Sequence, residues 1–384
     1  MALRDTGKGQ AGGAFRGEAR EERFGTFRVL DLRGTWRDMG RQYGALAADL
    51  LRETYERTVA PRIAQADGKE RERLDAIARG FHENYPHRLR EVLAGMAETS
   101  GLDLAQHMLL NAAEGLFADD ALGGRSDCAF PMHCSGIAVW GEYSAGALIY
   151  GRNYDRFGPP ASSMRGEHLV VAVYHPCDGS LATATIGYPG SVYLTTGINE
   201  RGIFVAVNNG EPSGGALQYH NRVPAVAELL LFLTDSPNLD QLESFLQSTR
   251  SNFAYVVGTA DDQTSRCFEW PVFDVKRRLS VRRPGLMVAT NHFTEPSWGL
   301  PRPDDEKFFR TRTRRQNLLN LAEHFKGSID LARMKKIMDT RIEDLGATTD
   351  ETEYQVVALP DSMTLSIKVP GLTEWVDIPI GEFM

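Results

Sequence analysis

Cysteine is scarce in this chain, and it lacks the spacing that metal sites and disulfide scaffolds use. The 384 residues contain four cysteines, at positions 128, 134, 177 and 267. Disulfide-stabilised domains are much shorter and richer in cysteine, and structural zinc sites use closely spaced ligand pairs. The sequence therefore predicts a protein of a reducing compartment, with no structural metal and no disulfide framework.

Long apolar runs are missing as well. The longest, at 225–233, has a helical pattern and is far shorter than the roughly 18 to 20 residues that cross a bilayer. Residues 1–24 are rich in glycine and charge and contain no apolar stretch of the kind a secretory signal needs. We expect a disordered leader at 1–24 in a cytoplasmic protein without a membrane partner.

Positive charge is in deficit, and nucleotide-binding motifs are absent. The formal net charge is -8 and the isoelectric point is near 5.7, with one basic block, at 310–315. Such a balance argues against nucleic acid as the main partner, because binding to phosphates depends on clustered lysine and arginine. With no P-loop or GxGxxG sequence either, a small molecule is the expected ligand and no cofactor is expected.

The remaining pattern predicts an α+β protein. One short strand at 27–32 precedes a region with helical periodicity that continues to about residue 117. After residue 134, strands come in consecutive groups with helices between them, which favours sheet layers covered by helices over a doubly wound parallel sheet. Strands are expected at 136–141, 147–152, 168–175, 182–188, 203–208, 253–259, 265–278, 285–290, 353–359 and 363–368, and helices at 221–233, 238–249, 305–323 and 328–338.

Cys134 is the candidate nucleophile. It follows a Gly/Asp/Ser linker at 119–128 and opens an apolar strand, and the next strand ends in Arg152, Asn153 and Asp155. A hairpin therefore places the thiol beside two charges and an amide. Most free cysteines are simply buried core residues, but charged residues at the end of an apolar strand indicate a polar pocket.

A thiol needs activation to attack a carbonyl group at neutral pH. Its ordinary pKa is about 8.5, and a cation such as Arg152 or a nearby base would favour the thiolate. An α-amino group, with a pKa of roughly 7.7 to 8.0, is a suitable base. Cys134 gains such an amine only if the peptide bond between His133 and Cys134 is cut, and the preceding linker is a plausible site for processing.

Several further segments, in order along the chain, resemble a known family. They are the glycine-spaced segment 34–44, the segments 95–101 and 109–111, the strand and turn at 197–209, and Asn291 with its neighbours in 289–293. Together with Cys134 and 151–155, they resemble the penicillin acyltransferase type of N-terminal nucleophile (Ntn) hydrolases, which are related to choloylglycine hydrolases. The resemblance covers most of the chain from about residue 27.

The resemblance implies a four-layer αββα sandwich preceded by a helical segment. It implies self-cleavage into a helical pro-segment, 25–133, and a catalytic chain, 134–384, which stay associated. Cys134 would attack a small-molecule acyl amide or acyl thioester, and its new amine would be the base. The resemblance implies that Arg152 and Asp155 position the thiol and the amine. It also implies that Asn208 and Asn291 stabilise the oxyanion and that Arg312 binds substrate.

Aromatic residues near the strand ends are candidates for an acyl pocket, namely Tyr154, Phe157 and Tyr193. Residues of this type at such positions are more often part of the core. Whether water or an amine resolves the acyl-enzyme is not determined by the sequence, and homo-oligomer formation also stays open.

Two other functions remain to be compared with this one. Cys134 could act with His292 as a papain-like pair in an uncut cysteine peptidase, which requires the imidazole within hydrogen-bond reach of the sulfur. Alternatively the chain could bind a small molecule without catalysis, because a fold alone does not secure activity. Cys128 is a competing thiol, although only Cys134 directly precedes the strand that leads to 151–155.

Overall fold

The computed structural model describes residues 19–112, 133–156, 168–210, 221–280, 282–306 and 308–384. Its strands form two sheets that pack face to face, and helices lie on the outer face of each sheet. Each sheet thereby buries both of its faces. This four-layer αββα arrangement confirms the fold class predicted from the sequence.

The larger sheet has nine strands, of which β2 and β5 pair in parallel and all other neighbours pair antiparallel. In spatial order the strands are β1 (Arg20–Phe24), β2 (Phe27–Gly34), β5 (Val170–Pro176), β6 (Thr183–Gly187), β7 (Thr196–Asn199), β8 (Phe204–Asn209), β9 (Tyr255–Ala260), β10 (Ser265–Trp270) and β11 (Lys276–Arg278).

The smaller sheet has six strands and is antiparallel throughout. In spatial order the strands are β12 (Leu286–Ala289), β3 (Ser135–Val139), β4 (Ile149–Asp155), β13 (Thr352–Leu359), β14 (Thr364–Lys368) and β15 (Val376–Ile378).

The helices fall into an N-terminal group and two later pairs. The N-terminal group is α1 (Trp36–Leu46), α2 (Ala48–Thr58), α3 (Ala60–Gln65), α4 (Gly68–Asn84), α5 (His87–Thr99) and α6, described over 104–112. The pairs are α7 (Ala225–Asp235) with α8 (Leu239–Ser248), and α9 (Thr311–His324) with α10 (Leu331–Asp339). None of the described helices is long and apolar enough to cross a membrane.

Residues 20–24, which the sequence places in a disordered leader, form strand β1. Their charges, which suggested disorder, are paired across the hairpin with β2: Arg20 donates to Asp31 at 3.1 Å, and Arg28 donates to Glu21 at 2.5 Å. Salt bridges across a strand pair therefore replace the missing apolar residues here.

Other differences from the expected elements are small. The segment expected as one strand at 265–278 is divided at Pro271 into β10 and β11, since proline lacks the N–H that a continuous ladder needs. The short strands β7 and β15 are additional to those expected, and α9 begins at Thr311, later than expected.

Strand β4 divides its side chains between the two faces of the smaller sheet. Tyr150 and Arg152 point into the space between the sheets, where the Tyr150 ring packs on Phe204 of β8. Gly151 lies on the outer face, where an added Cβ would come within 2.6 Å of the Met338 sulfur of α10. The alternation along a strand thus directs Arg152 toward the larger sheet.

Helices α1 and α5 pack closely through glycines of two segments that the sequence singled out. A Cβ at Gly40 would overlap the Val92 carbonyl group of α5, and a Cβ at Gly95 would overlap the Arg37 carbonyl group of α1. Backbones can approach this closely only where no side chain intervenes. The helix pair in turn packs on β2 through α1.

The Gly40→Ala variant should be destabilised by roughly 1 to 3 kcal/mol, since its methyl group has no space between the helices. The matched control is Gly80→Ala in α4, where an added Cβ meets no atom within 4 Å. There, alanine should be neutral or stabilise by roughly 0.5 to 1 kcal/mol through helix propensity. Urea denaturation of both variants measures the difference, and equal effects would contradict the proposed close packing.

Candidate active site

Cys134 immediately precedes β3, and its side chain is fully buried between the two sheets. The residue before it continues the pairing of β3 with β4, because the His133 N–H donates to the Asp155 carbonyl oxygen at 2.9 Å. The nucleophile candidate therefore has both of its neighbours in the chain fixed by the same hairpin.

Arg152, in the middle of β4, contacts the Cys134 sulfur. One of its terminal nitrogens, Nη2, lies 3.3 Å from Sγ and donates to the Val207 carbonyl oxygen at 2.7 Å, and Nη1 donates to Asn208 Oδ1 at 3.1 Å. Val207 and Asn208 belong to β8 of the opposite sheet. The guanidinium group thus connects the two sheets at the thiol.

Arg314 of α9 occupies the other side of the centre. Its Nη1 donates to the His133 carbonyl oxygen at 2.8 Å and lies 3.2 Å from both the Cys134 carbonyl oxygen and Asp155 Oδ2. Its Nη2 donates to Asn291 Oδ1 at 2.8 Å. A fully buried guanidinium group therefore contacts the carbonyl group of the bond that the sequence predicts to be cut.

The resemblance in the sequence points to Arg312, but the fold brings Arg314 to the cysteine. Arg312 is exposed, and its backbone N–H is bound by Asp305. Arg314 lies on the buried stripe of α9, which continues through Leu318 and Ala322 at intervals of four residues. That spacing is the sequence signal that identifies Arg314, since a side chain on the apolar stripe of a helix faces the core.

Asp155, at the end of β4, is the only acid that the described structure shows bonded to Arg314. Its second oxygen, Oδ1, accepts from the Thr352 hydroxyl at 2.6 Å. Burial raises the pKa of Asp155 to about 6, although Arg314 and the Thr352 hydrogen bond act in the opposite direction. The carboxyl group is thus poised to titrate near neutral pH.

Asn208 and Asn291 are each oriented by one of the two arginines. A guanidinium group only donates, so each amide must turn its oxygen toward its arginine and its NH2 group away. The Nδ2 of Asn208 lies 3.5 Å from the Thr290 carbonyl oxygen, a long contact, and that of Asn291 donates to the Asn209 carbonyl oxygen at 2.9 Å. Each NH2 group keeps a further hydrogen for another acceptor.

The buried side chains of Arg152, Arg314, Asp155 and Cys134 together carry a net positive charge as long as Cys134 keeps its proton. Two arginines face one carboxylate, so a thiolate at Cys134 would bring the sum to zero. Even so, burial raises the pKa of the Cys134 thiol by more than Arg152 lowers it. The uncut chain therefore holds a protonated thiol, which must lose its proton as it attacks.

His292 is close in sequence to Asn291 but makes no hydrogen bond to Cys134. Its Nδ1 contacts the Thr311 hydroxyl at 3.1 Å and the Thr290 hydroxyl at 3.3 Å. Burial, assisted by Arg278, lowers the pKa of His292 to about 3. The imidazole is consequently neutral at ordinary pH and is engaged with threonines.

The turn that leads into α9 is strained where it contacts the site. Phe309 and Arg310 both have a φ of 52°, a left-handed conformation that costs a residue with a side chain of order 1 kcal/mol. The Phe309 carbonyl oxygen accepts from Arg314 Nε at 2.9 Å, and the Phe309 ring stacks on His133 with centroids 3.6 Å apart. The strained turn thus contacts both Arg314 and His133, the residue before Cys134.

Two of the three aromatic residues singled out from the sequence meet at one cavity. Tyr154 and Tyr193 line it together with Tyr43, Tyr188 and Tyr354, and its volume is about 10 Å³, roughly the space of one water molecule. Tyr154 stacks on Tyr354 at 4.6 Å and lies beside the Arg152 guanidinium group. Phe157 lies outside the described residues.

Within the described ranges, no group of three or more histidine, cysteine or acidic residues is arranged to hold a metal ion. The cysteines described there, Cys134, Cys177 and Cys267, are all free thiols.

Neither a family model nor a curated protein matches the sequence. Similar solved structures include an ortholog of the N-acylethanolamine-hydrolyzing acid amidase from Caenorhabditis elegans, at 15% identity and TM-score 0.44, over 59% of this chain and 93% of that chain. A mutant of the conjugated bile acid hydrolase from Clostridium perfringens is similar at 13% identity and TM-score 0.47, over 65% and 93%. Penicillin V acylase from Agrobacterium tumefaciens is similar at 13% and 0.36, over 64% and 86%.

Their names, an acid amidase, a bile acid hydrolase and a penicillin acylase, are of the kind that the resemblance in the sequence suggests. The identities are low and every one of these TM-scores is below 0.5.

The Arg314→Met variant should lose roughly 3 to 5 kcal/mol of stability, since it leaves the buried Asp155 carboxylate without its cation. The control is Arg312→Met on the same helix, which should change stability by no more than about 0.5 kcal/mol because that side chain is exposed. Both are measured by urea denaturation in a Cys134→Ala chain, which keeps the backbone whole. Equal losses for the two variants would show that Arg314 does not hold the centre together.

Proposed function

We propose that the chain is a self-cleaving cysteine amidohydrolase or acyltransferase of the Ntn type. It would act on a small-molecule acyl amide or acyl thioester through an acyl-Cys134 intermediate. The observation that carries this proposal is the pair of buried arginines around Cys134, with Arg152 on the sulfur and Arg314 on the carbonyl oxygen of the preceding residue.

Self-cleavage begins with attack of Cys134 Sγ on the His133 carbonyl carbon. Negative charge then develops on the His133 oxygen, where Arg314 Nη1 already donates a hydrogen bond. Breaking the carbon–nitrogen bond transfers the acyl group to sulfur, and the Cys134 nitrogen takes up the proton that the thiol has lost and becomes an amine. Water hydrolyses the resulting thioester, giving a carboxylate on His133 and a free thiol on Cys134.

Turnover uses the new amine as the base. It accepts the thiol proton, the thiolate attacks the substrate carbonyl group, and the leaving amine or thiol receives the proton as the acyl-enzyme forms. The NH2 groups of Asn208 and Asn291 are the proposed oxyanion donors, oriented by Arg152 and Arg314. Water or an acceptor amine then takes the acyl group from sulfur.

The two fragments are expected to remain together after the cut. Strand β2, from the N-terminal fragment, pairs with β5 of the C-terminal fragment over seven residues. Asn111 of α6 also bonds both the Gly190 carbonyl oxygen and the Val192 N–H, at 2.8 Å each. Separating the fragments would therefore break a sheet and expose core residues on both sides.

The tyrosine-lined cavity next to Arg152 is the proposed starting point of the acyl pocket. Tyr154 and Tyr193 face it, as the sequence suggested for substrate contacts. In the uncut chain it has room for about one water molecule, so the cavity must widen before an acyl chain can enter. Aromatic walls favour an apolar acyl group.

The geometry favours this function over a papain-like peptidase. Such an enzyme needs an imidazole bonded to the nucleophilic sulfur, whereas His292 is bonded to Thr290 and Thr311. In addition, the low pKa of His292 makes it a poor proton acceptor at neutral pH.

The purified wild-type chain should separate on a denaturing gel into residues 1–133 and 134–384, and N-terminal sequencing should find a new start at Cys134. The Cys134→Ala variant should stay whole, because no other side chain supplies the attacking atom. Cys128→Ala is the matched control and should mature normally. A whole but active wild-type chain that loses activity in His292→Ala would instead support the peptidase, and a whole, inert chain would support the binding protein.

Asp155→Asn should slow maturation or turnover by about 100-fold while the fold stays intact, since Asp155 is proposed to orient the new amine and Arg314. Intact-mass time courses measure maturation. Acylation of the 134–384 fragment by N-acyl amino acids, acyl thioesters and peptide amides measures turnover. Asp350→Asn is the control, because that carboxylate is an exposed partner of Arg341. Unchanged rates in Asp155→Asn would remove this residue from the mechanism.

A further inference from the structure

A second polar cavity lies on the side of the sandwich where the edge strands β11 and β12 of the two sheets meet α9. Its volume is about 320 Å³, which falls at the lower end of the range for small-molecule pockets. We call it the arginine cavity, because Arg278, Arg282, Arg283 and Arg315 all line it. None of these residues has a part in the proposed catalysis.

The arginine cavity carries more positive charge than its neighbours neutralise. Arg278 is paired with Glu269 at 2.7 Å, and Arg283 is paired with Glu323 at 2.7 Å. Arg282 and Arg315 have no ion pair with any described residue. Four guanidinium groups against two carboxylates therefore leave two positive charges uncompensated.

Arg315 is the informative member, because it is half-buried and makes no hydrogen bond within the described parts of the chain. Its Nε is shielded from solvent without an acceptor, a situation that costs roughly 1 to 3 kcal/mol. Burial, followed by repulsion from Arg278, lowers the pKa of Arg315 to about 10. A structural arginine would be expected to have a carboxylate or carbonyl partner; this one faces a cavity instead.

The remaining walls of the arginine cavity are apolar. Leu279, Met287 and Leu319 line it, and Leu279 is 70% exposed. A ligand with a charged group and an organic portion could use both kinds of wall. The polar hydroxyls nearby are already engaged, since Ser280 donates to the Leu286 carbonyl oxygen and Thr294 donates to Glu269.

We propose that the arginine cavity is a binding site for a dianionic oxyanion, a phosphoryl group, held by Arg315 and Arg282. Two uncompensated guanidinium groups match the charge of one dianion, and the planar fork of arginine matches the oxygen geometry of phosphate. A carboxylate would neutralise only one of the two. The site is separate from Cys134 in its residues, so the proposal stands whether or not the chain is cut.

Isothermal titration calorimetry tests this on the full-length chain and on its Cys134→Ala variant, at constant low ionic strength. Inorganic phosphate should bind with one site per chain, whereas chloride and acetate should bind far more weakly. Arg315→Gln and Arg282→Gln should each weaken phosphate binding by about 10- to 100-fold, the usual effect of losing a charged hydrogen bond. The control Arg250→Gln removes an exposed arginine outside the cavity and should bind like wild type.

Thermal unfolding separates a binding role from a structural one. Without phosphate, Arg315→Gln should be as stable as wild type or more so, because it removes an uncompensated charge. With phosphate, wild type should gain stability and the variant should not. Phosphate binding no tighter than chloride, or equal binding in Arg315→Gln and wild type, would overturn the proposal.

A phosphomonoester such as glycerol phosphate distinguishes the two sources of the group. Binding at least as tight as that of inorganic phosphate identifies a phosphoryl group carried on an organic molecule that also uses the apolar wall. A site that takes inorganic phosphate and rejects the monoester serves the free ion. If neither binds in the arginine cavity, as judged by the Arg315→Gln variant, there is no phosphoryl site.

Discussion

The guanidinium group of Arg314 joins four separate parts of the chain in a space that excludes water. It contacts the start of β3, the end of β4, the segment after β12 and the turn before α9. A buried cation is tolerated only when acceptors surround it, so each of these parts must be in place before the charge is stabilised. The Arg314 charge is therefore stabilised only when these four parts have folded around it.

Around this cation the site is arranged as two arginine–asparagine pairs with the cysteine between them. Arg152 turns Asn208 and Arg314 turns Asn291, and in both cases the amide oxygen faces the cation. The arginines thus fix the direction of the NH2 groups. Such preorganisation is what makes a hydrogen-bond donor effective for a charge that develops only during reaction.

The parts of the site that are close in sequence could be predicted, and those that depend on packing could not. Cys134, Arg152 and Asp155 share one hairpin, so the pairing of its two strands is enough to place them near one another. Arg314 is 159 residues from Asp155, and a cluster of four arginines in 310–315 conceals which one faces inward. Helical spacing on α9 answers that question only once the start of the helix, at Thr311, is known.

The same distinction holds for the fold. Layer type follows from the grouping of strands and helices, yet the charged strand β1 and the pairing of β2 with β5 depend on partners far along the chain. The salt bridges that order Arg20–Phe24 exist only when Asp31 and Arg28 are presented by a formed strand. Local composition alone suggests disorder there, because it does not include these partners.

The parallel pairing of β2 with β5 affects how a cut chain would unfold and refold. It is formed by segments on opposite sides of His133, so a chain cut at that point can unfold but would have to find its other half again in order to refold. Refolding would then depend on concentration, as in a heterodimer, whereas the intact chain folds as one unit. The lifetime of the folded, cut protein would accordingly be set by its unfolding rate.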